Sequence, residues 1–147
     1  MNKRKLIKIL YIVFLILYIC FIFSNSLKSK ESSSNDSASI HMLLNNILAG
    51  LKIPIVLSEY FVRKLAHFTE FFILGLSFFG YIRINNKISI NRCIQICFAS
   101  CLVAMTDETI QYFSGRGSML LDVWLDFSSS VLAIMLLYLL YKKTTKT

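Results

Sequence analysis

Arg63, His67 and Glu70 follow one another at i, i+4 and i+7, so a helix would carry a guanidinium, an imidazole and a carboxylate on one face. Asp107, Glu108 and Gln111 form a second polar group, Asp122 and Asp126 lie one helical turn apart in a third, and Arg116 falls between these two. With Lys64 they make ten side chains in or beside three apolar segments. Three kinds of chemistry suit them. Arg63, Lys64 and Arg116 can hold phosphate or carboxylate groups. His67 beside Glu70 or Asp107 can serve as an oriented general base, which makes these three the catalytic candidates. His67, Glu70, Asp107 and Glu108 together offer an imidazole and carboxylates to a divalent cation such as Mn, Mg or Zn. A charged side chain at the centre of a membrane helix costs about 2.5–3.5 kcal/mol on insertion scales, so such residues need partners or a ligand. No serine, cysteine or threonine stands in a recognised nucleophile motif, which weighs against covalent catalysis.

The surrounding chain is apolar. Of 147 residues, 56% are hydrophobic, and mean hydropathy is positive. That leaves too little polar surface for a small soluble globule and implies an integral membrane protein. The net charge of +8 would suggest nucleic acid only if the basic residues formed a patch. They lie instead between apolar segments, as topology determinants do, so no nucleic-acid partner is expected. Cys20, Cys93, Cys97 and Cys101 include no C-x-x-C pair. The last three share one helix face with no histidine nearby in sequence, and they read as small hydrophobes in packing.

Four segments, 6–23, 58–82, 90–112 and 119–141, are long and apolar enough to span, given about 20 residues per hydrocarbon thickness. The first is too long for a secretory signal and has no A-x-A-like cleavage site, so it reads as a span. Residues 24–57 form a loop between the first two. Its serine-rich part, 24–39, reads as exposed and irregular. Ile40, Leu43, Leu44, Ile47, Leu48 and Leu51 then recur at helical spacing, with His41, Asn45 and Asn46 off the stripe. That is a short amphipathic helix lying in the interface, on which His41 reads as solvated. The expected architecture is all-α: a single-domain membrane four-helix bundle over 1–147, with an interfacial helix in the first outer loop.

Basic residues orient it. Lys3, Arg4, Lys5 and Lys8, then Arg83, Lys87 and Arg92, then Lys142, Lys143 and Lys146 fall on one side. Lys28, Lys30, Lys52, Arg63, Lys64 and Arg116 fall on the other. The positive-inside rule places both termini in the cytoplasm and the polar cluster in the outer half of the bilayer. The three polar faces can then meet only in a cavity open to the outside.

Two stretches resemble the signatures of the VanZ-like family, small polytopic proteins of bacterial membranes named after a teicoplanin-resistance protein. Residues 63–75, R-K-L-A-H-F-T-E-F-F-I-L-G, are similar to R-K-x-A-H-F-x-E-[YF]-x-x-L-G. Residues 107–116, D-E-T-I-Q-Y-F-S-G-R, are similar to D-E-x-x-Q-x-F-x-P-G-R, and Asp122 and Asp126 fit the D-v-x-x-[ND] that follows. The serine-rich stretch from Phe23 resembles the family's F-S-S-Q loop. Ser114 replaces a frequent proline, and Ser129 a frequent helix-packing glycine. The resemblance implies a cell-envelope protein linked to glycopeptide susceptibility and leaves its chemistry open. Arg63, His67, Glu70, Asp107, Glu108, Gln111, Arg116, Asp122 and Asp126 are the ligand-binding candidates. The expected ligand is amphiphilic: a phospholipid, a lipid-linked cell-wall precursor or a lipoglycopeptide. The alternatives are an intramembrane enzyme acting on a lipid head group, and a polar network that only fixes the helices. No cofactor is expected, with a divalent cation as the alternative.

Overall fold

The protein folds into α1 (Lys3–Ser26), α2 (Lys30–Gly50), α3 (Glu59–Ile84), α4 (Ile90–Phe113) and α5 (Leu120–Thr144), as seen in a computed structural model that describes residues 2–117 and 119–145. Ser118 of the turn after α4 and Lys146 of the C-terminal basic group lie outside the described residues. All the helices except α2 are long and apolar enough to cross a membrane. Side-chain caps explain where several begin. Ser29, Ser58 and Ser89 each accept a hydrogen bond from the backbone N–H three residues on, opening α2, α3 and α4.

Cross-helix bonds give the topology. Tyr11 donates to the Ser77 carbonyl (2.9 Å) and Tyr18 to the Glu70 carbonyl (3.0 Å), so α1 runs antiparallel to α3. Ser129 donates to the Phe68 carbonyl and Ser130 to that of Phe71 (2.6 Å), so α3 and α5 run parallel. Gly75 lets these two approach: a Cβ there would lie 2.5 Å from the Ser130 carbonyl oxygen. Ser129 is fully buried and binds α3 through its hydroxyl.

The bundle is apolar toward one end and polar toward the other. Phe79, Ile82, Cys93, Ile96 and Ile134 form one core cluster near the α3–α4 turn. Ile22, Phe71, Leu74 and Ala104 form a second at mid-bundle. Beyond it the buried positions become Ser26, Asp107, Glu108, Gln111 and Asp126. Leu10 and Leu17 of α1, Phe98 of α4 and Leu140 of α5 point outward, as lipid-facing residues do. Cys93 packs in the core as expected.

The first loop differs from its sequence reading. Residues 24–26 complete α1, and α2 starts at Lys30, so most of the serine-rich segment is helical. Ser33, Ser37, His41, Leu44, Asn45 and Leu48 face the bundle, a stripe whose first, serine part composition disguised as loop. The apolar residues Ile40, Leu43, Ile47 and Leu51 are exposed, the face an interfacial helix turns to lipid. His41 is not merely solvated. Its Nε2 lies 2.7 Å from the Leu57 carbonyl. Asn45 accepts from the Leu57 N–H at 2.8 Å and donates to its carbonyl at 3.2 Å, pinning the loop before α3.

Just past the end of α2, Lys52 takes φ 56, and the Ile53 N–H returns to the Leu48 carbonyl at 3.0 Å. Left-handed backbone costs an L residue with a Cβ roughly 1–2 kcal/mol. Lys52→Gly should therefore raise the unfolding midpoint of the purified protein by about 0.5–1 kcal/mol equivalent, readable by thermal melting in detergent.

Candidate functional site

The polar end is assembled from every helix of the bundle. The last turn of α1 supplies Asn25 and Ser26; α3 supplies Arg63, Lys64, His67 and Glu70. The last two turns of α4 supply Asp107, Glu108 and Gln111, and the first two of α5 supply Asp122 and Asp126. Arg116 is aimed by the turn after α4. Gly115 takes φ +72, the Gly115 N–H donates to the Tyr112 carbonyl (3.2 Å), and the Arg116 N–H donates to that of Gln111 (3.1 Å). This Schellman closure folds Arg116 back over the helix end. Its Nη1 then reaches the Asn25 carbonyl of α1 at 2.9 Å. The Ser114 N–H donates to the Ile110 carbonyl (2.9 Å).

A buried chain of hydrogen bonds ties α1 to α4. Ser26 Oγ donates to Asp107 Oδ1 at 2.6 Å, and Gln111 Nε2 donates to Asp107 Oδ2 at 2.8 Å and to Glu108 Oε1 at 3.2 Å. Ser26, Asp107, Glu108 and Gln111 are all at most 5% exposed, so these bonds form away from solvent. Charge-assisted bonds of this kind are roughly twice as strong as neutral ones. Glu70 is held separately, accepting from Asn25 Nδ2 at 2.9 Å. Lys64 and Asp122 pair with each other in close contact, and Lys64 also lies 5.3 Å from the centre of the Tyr60 ring.

Asp126 is fully buried, and neither of its carboxyl oxygens has a hydrogen-bond partner among the described residues. His67 Nδ1, likewise unpartnered, lies 3.9 Å from Asp126 Oδ2. No hydrogen bond joins His67 to Glu70 or Asp107 among the described residues; Glu70 is bonded to Asn25, and Asp107 to Ser26 and Gln111. The cation set His67, Glu70, Asp107 and Glu108 also separates: His67 and Asp107 group with Asp126, while Glu70 turns to Asn25 and Glu108 to Gln111.

Two cavities flank this network. A polar pocket of about 150 Å³ is lined by Asn25, Lys28, Asp36, Arg63, His67, Glu70 and Arg116 among others. Lys28 and Asp36 pair at 2.8 Å, while no carboxylate pairs with Arg63 or Arg116 among the described residues. Burial, and after it the like charge of Arg63, lowers the pKa of Arg116. Two guanidinium groups thus face one small space. The second cavity is an apolar groove of about 540 Å³ between α4 and α5, lined by Met105, Tyr112, Phe113, Leu120, Trp124 and Phe127 with Glu108 among them.

The sequence-derived residues therefore meet at one end of the bundle but divide into groups. Arg63, His67, Glu70 and Arg116 line the polar pocket. Asp107, Glu108 and Gln111 form the buried chain, Asp126 faces His67, and Lys64 with Asp122 stands apart as an ion pair. Sequence reasoning missed Asn25 and Ser26, the partners of Glu70 and Asp107, and the α2 residues Ser33, Asp36 and Ser37 that wall the pocket. No local signal marked the first pair; the serines carried one in their i, i+4 spacing.

Four helices long and apolar enough to cross a membrane, packed around a buried polar cluster, define a multi-pass membrane protein. The chain belongs to the VanZ/LLP1 family, whose model matches residues 8–141. No curated protein and no solved structure matches it.

Proposed function

We propose that this protein binds the anionic head group of an amphiphilic envelope ligand in the pocket between α1, α2 and α3, and so lowers susceptibility to glycopeptide antibiotics. The observation that carries this reading is the pair Arg63 and Arg116, which line one cavity without a carboxylate bound to either. Guanidinium groups suit phosphate and carboxylate through paired N–H donors. A pocket of about 150 Å³ is smaller than sites that engulf whole ligands, roughly 300–1,000 Å³, so it fits a head group and leaves the rest outside. Glu70, held by Asn25, would accept from hydroxyl or ammonium groups of the same ligand.

The ligand class is a phospholipid, a lipid-linked cell-wall precursor or a lipoglycopeptide. The protein resides in a bacterial cell membrane with both termini in the cytoplasm, and the pocket opens outward, as the distribution of its lysines and arginines directs.

Teicoplanin tolerance of cells expressing the protein tests this. Arg63→Ala and Glu70→Gln, at unchanged membrane abundance, should return tolerance to the level of empty-vector cells. Full tolerance in both variants would contradict the pocket reading.

A further inference from the structure

Asp126 has no part in the pocket just described, yet its environment demands an explanation. It is wholly buried, both carboxyl oxygens are without hydrogen-bond partners, and the facing His67 Nδ1 is also unpartnered. The 3.9 Å between them is too long for a hydrogen bond. An ionised carboxylate left so costs several kcal/mol. A protonated one still carries an O–H donor that needs an acceptor.

Asp107 completes the arrangement. One ligand atom each from His67, Asp107 and Asp126 lies within 4.8 Å of the others. Tetrahedral ligands at the usual zinc distances stand roughly 3.3–3.6 Å apart, so closing the trio takes an adjustment on the order of 1 Å. The existing bonds of Asp107 are compatible with a cation, because each carboxylate oxygen retains a second lone pair. Ser26 and Gln111 fix its orientation, as outer partners of ligating carboxylates do.

We infer that His67, Asp107 and Asp126 form a site for one divalent transition-metal ion. One imidazole with two carboxylates favours zinc or manganese over magnesium or calcium, which prefer all-oxygen sets. Three protein ligands leave a position open. His67 also lines the polar pocket, so the ion adjoins the space assigned to the head group. Bridging three helices, it would also offset the carboxylates concentrated there. The site stands independently of the pocket's ligand, since metal can be titrated with no lipid ligand added.

The test is calorimetric titration of Zn²⁺ alone into the full chain, stripped with chelator and held in phosphatidylcholine nanodiscs, with empty nanodiscs as the blank. One saturable equivalent is expected. Asp126→Asn and His67→Gln should each weaken it at least 100-fold, while Glu59→Gln, at an exposed carboxylate outside the trio and the pocket, leaves it within about twofold. Electron spin-echo spectroscopy of the Mn²⁺-loaded wild type should show coupling to an imidazole nitrogen, a readout that needs no variant to fold. No saturable uptake by wild type, undiminished binding in folded Asp126→Asn, or Mn²⁺ without nitrogen coupling would each overturn the site.

Discussion

Gly75→Ala is expected to destabilise the bundle by roughly 3 kcal/mol, the upper end of the usual overpacking cost. The added Cβ would lie 2.5 Å from the Ser130 carbonyl oxygen and 2.9 Å from its Cα. Both are backbone atoms of α5, so only a shift of the helix relieves the clash. That shift would also stretch the Ser130 bond to the Phe71 carbonyl, now 2.6 Å. Gly80→Ala meets the hydroxyl end of Tyr11, a side chain that can swing aside. It should forfeit the Tyr11 bond to Ser77, worth about 1 kcal/mol. Gly50→Ala meets nothing and should be neutral or slightly stabilising. Thermal unfolding in detergent should rank the three in that order, and a Gly75→Ala melting point equal to wild type would contradict the close α3–α5 contact.

The second large effect concerns the buried chain at the polar end. Interhelical polar contacts in membranes average only about 0.6 kcal/mol and reach about 1.7. The Ser26–Asp107 bond should sit at the top of that range because it is short, wholly buried and charge-assisted. A double-mutant cycle with Ser26→Ala and Asp107→Asn is expected to give a coupling of about 1.5 kcal/mol. A value below about 0.5 kcal/mol would mean that the end of α1 is not anchored to α4 through this bond. The same cycle with Gln111→Ala should couple to Asp107 as well, since Gln111 bridges Asp107 and Glu108.

Much of this architecture is legible in the sequence, for physical reasons. A span declares itself through length and apolarity, and the ends of the four spanning helices fall within three residues of the expected segments. Charges in a span also declare themselves, because lipid makes them costly, so Arg63, His67, Glu70, Asp107 and Asp126 stood out. What did not show is pairing. Asn25 and Ser26 look like ordinary residues after a span, and nothing local reveals that they meet residues 45 and 81 positions away. Helix α2 was obscured because its inward stripe is serine-rich, and serine composition weighs toward loop while Ser33 and Ser37 spacing weighs toward helix. The division among the charges was hidden as well. All ten together hold five carboxylates against three cations, yet the pocket lining holds Lys28, Arg63 and Arg116 against Asp36 and Glu70. Only folding separates the arginine-lined pocket from the carboxylates beneath it.

Retention of an anionic lipid by the purified protein is the most direct check on the pocket. Native mass spectrometry of the full chain, incubated with equal amounts of phosphatidylglycerol and phosphatidylcholine, reports which lipid stays bound. Wild type should retain phosphatidylglycerol preferentially and saturably, and the Arg63→Ala, Arg116→Ala double variant should lose at least tenfold of that affinity while remaining folded. Equal retention of both lipids by wild type, or undiminished retention by the folded double variant, would contradict the account.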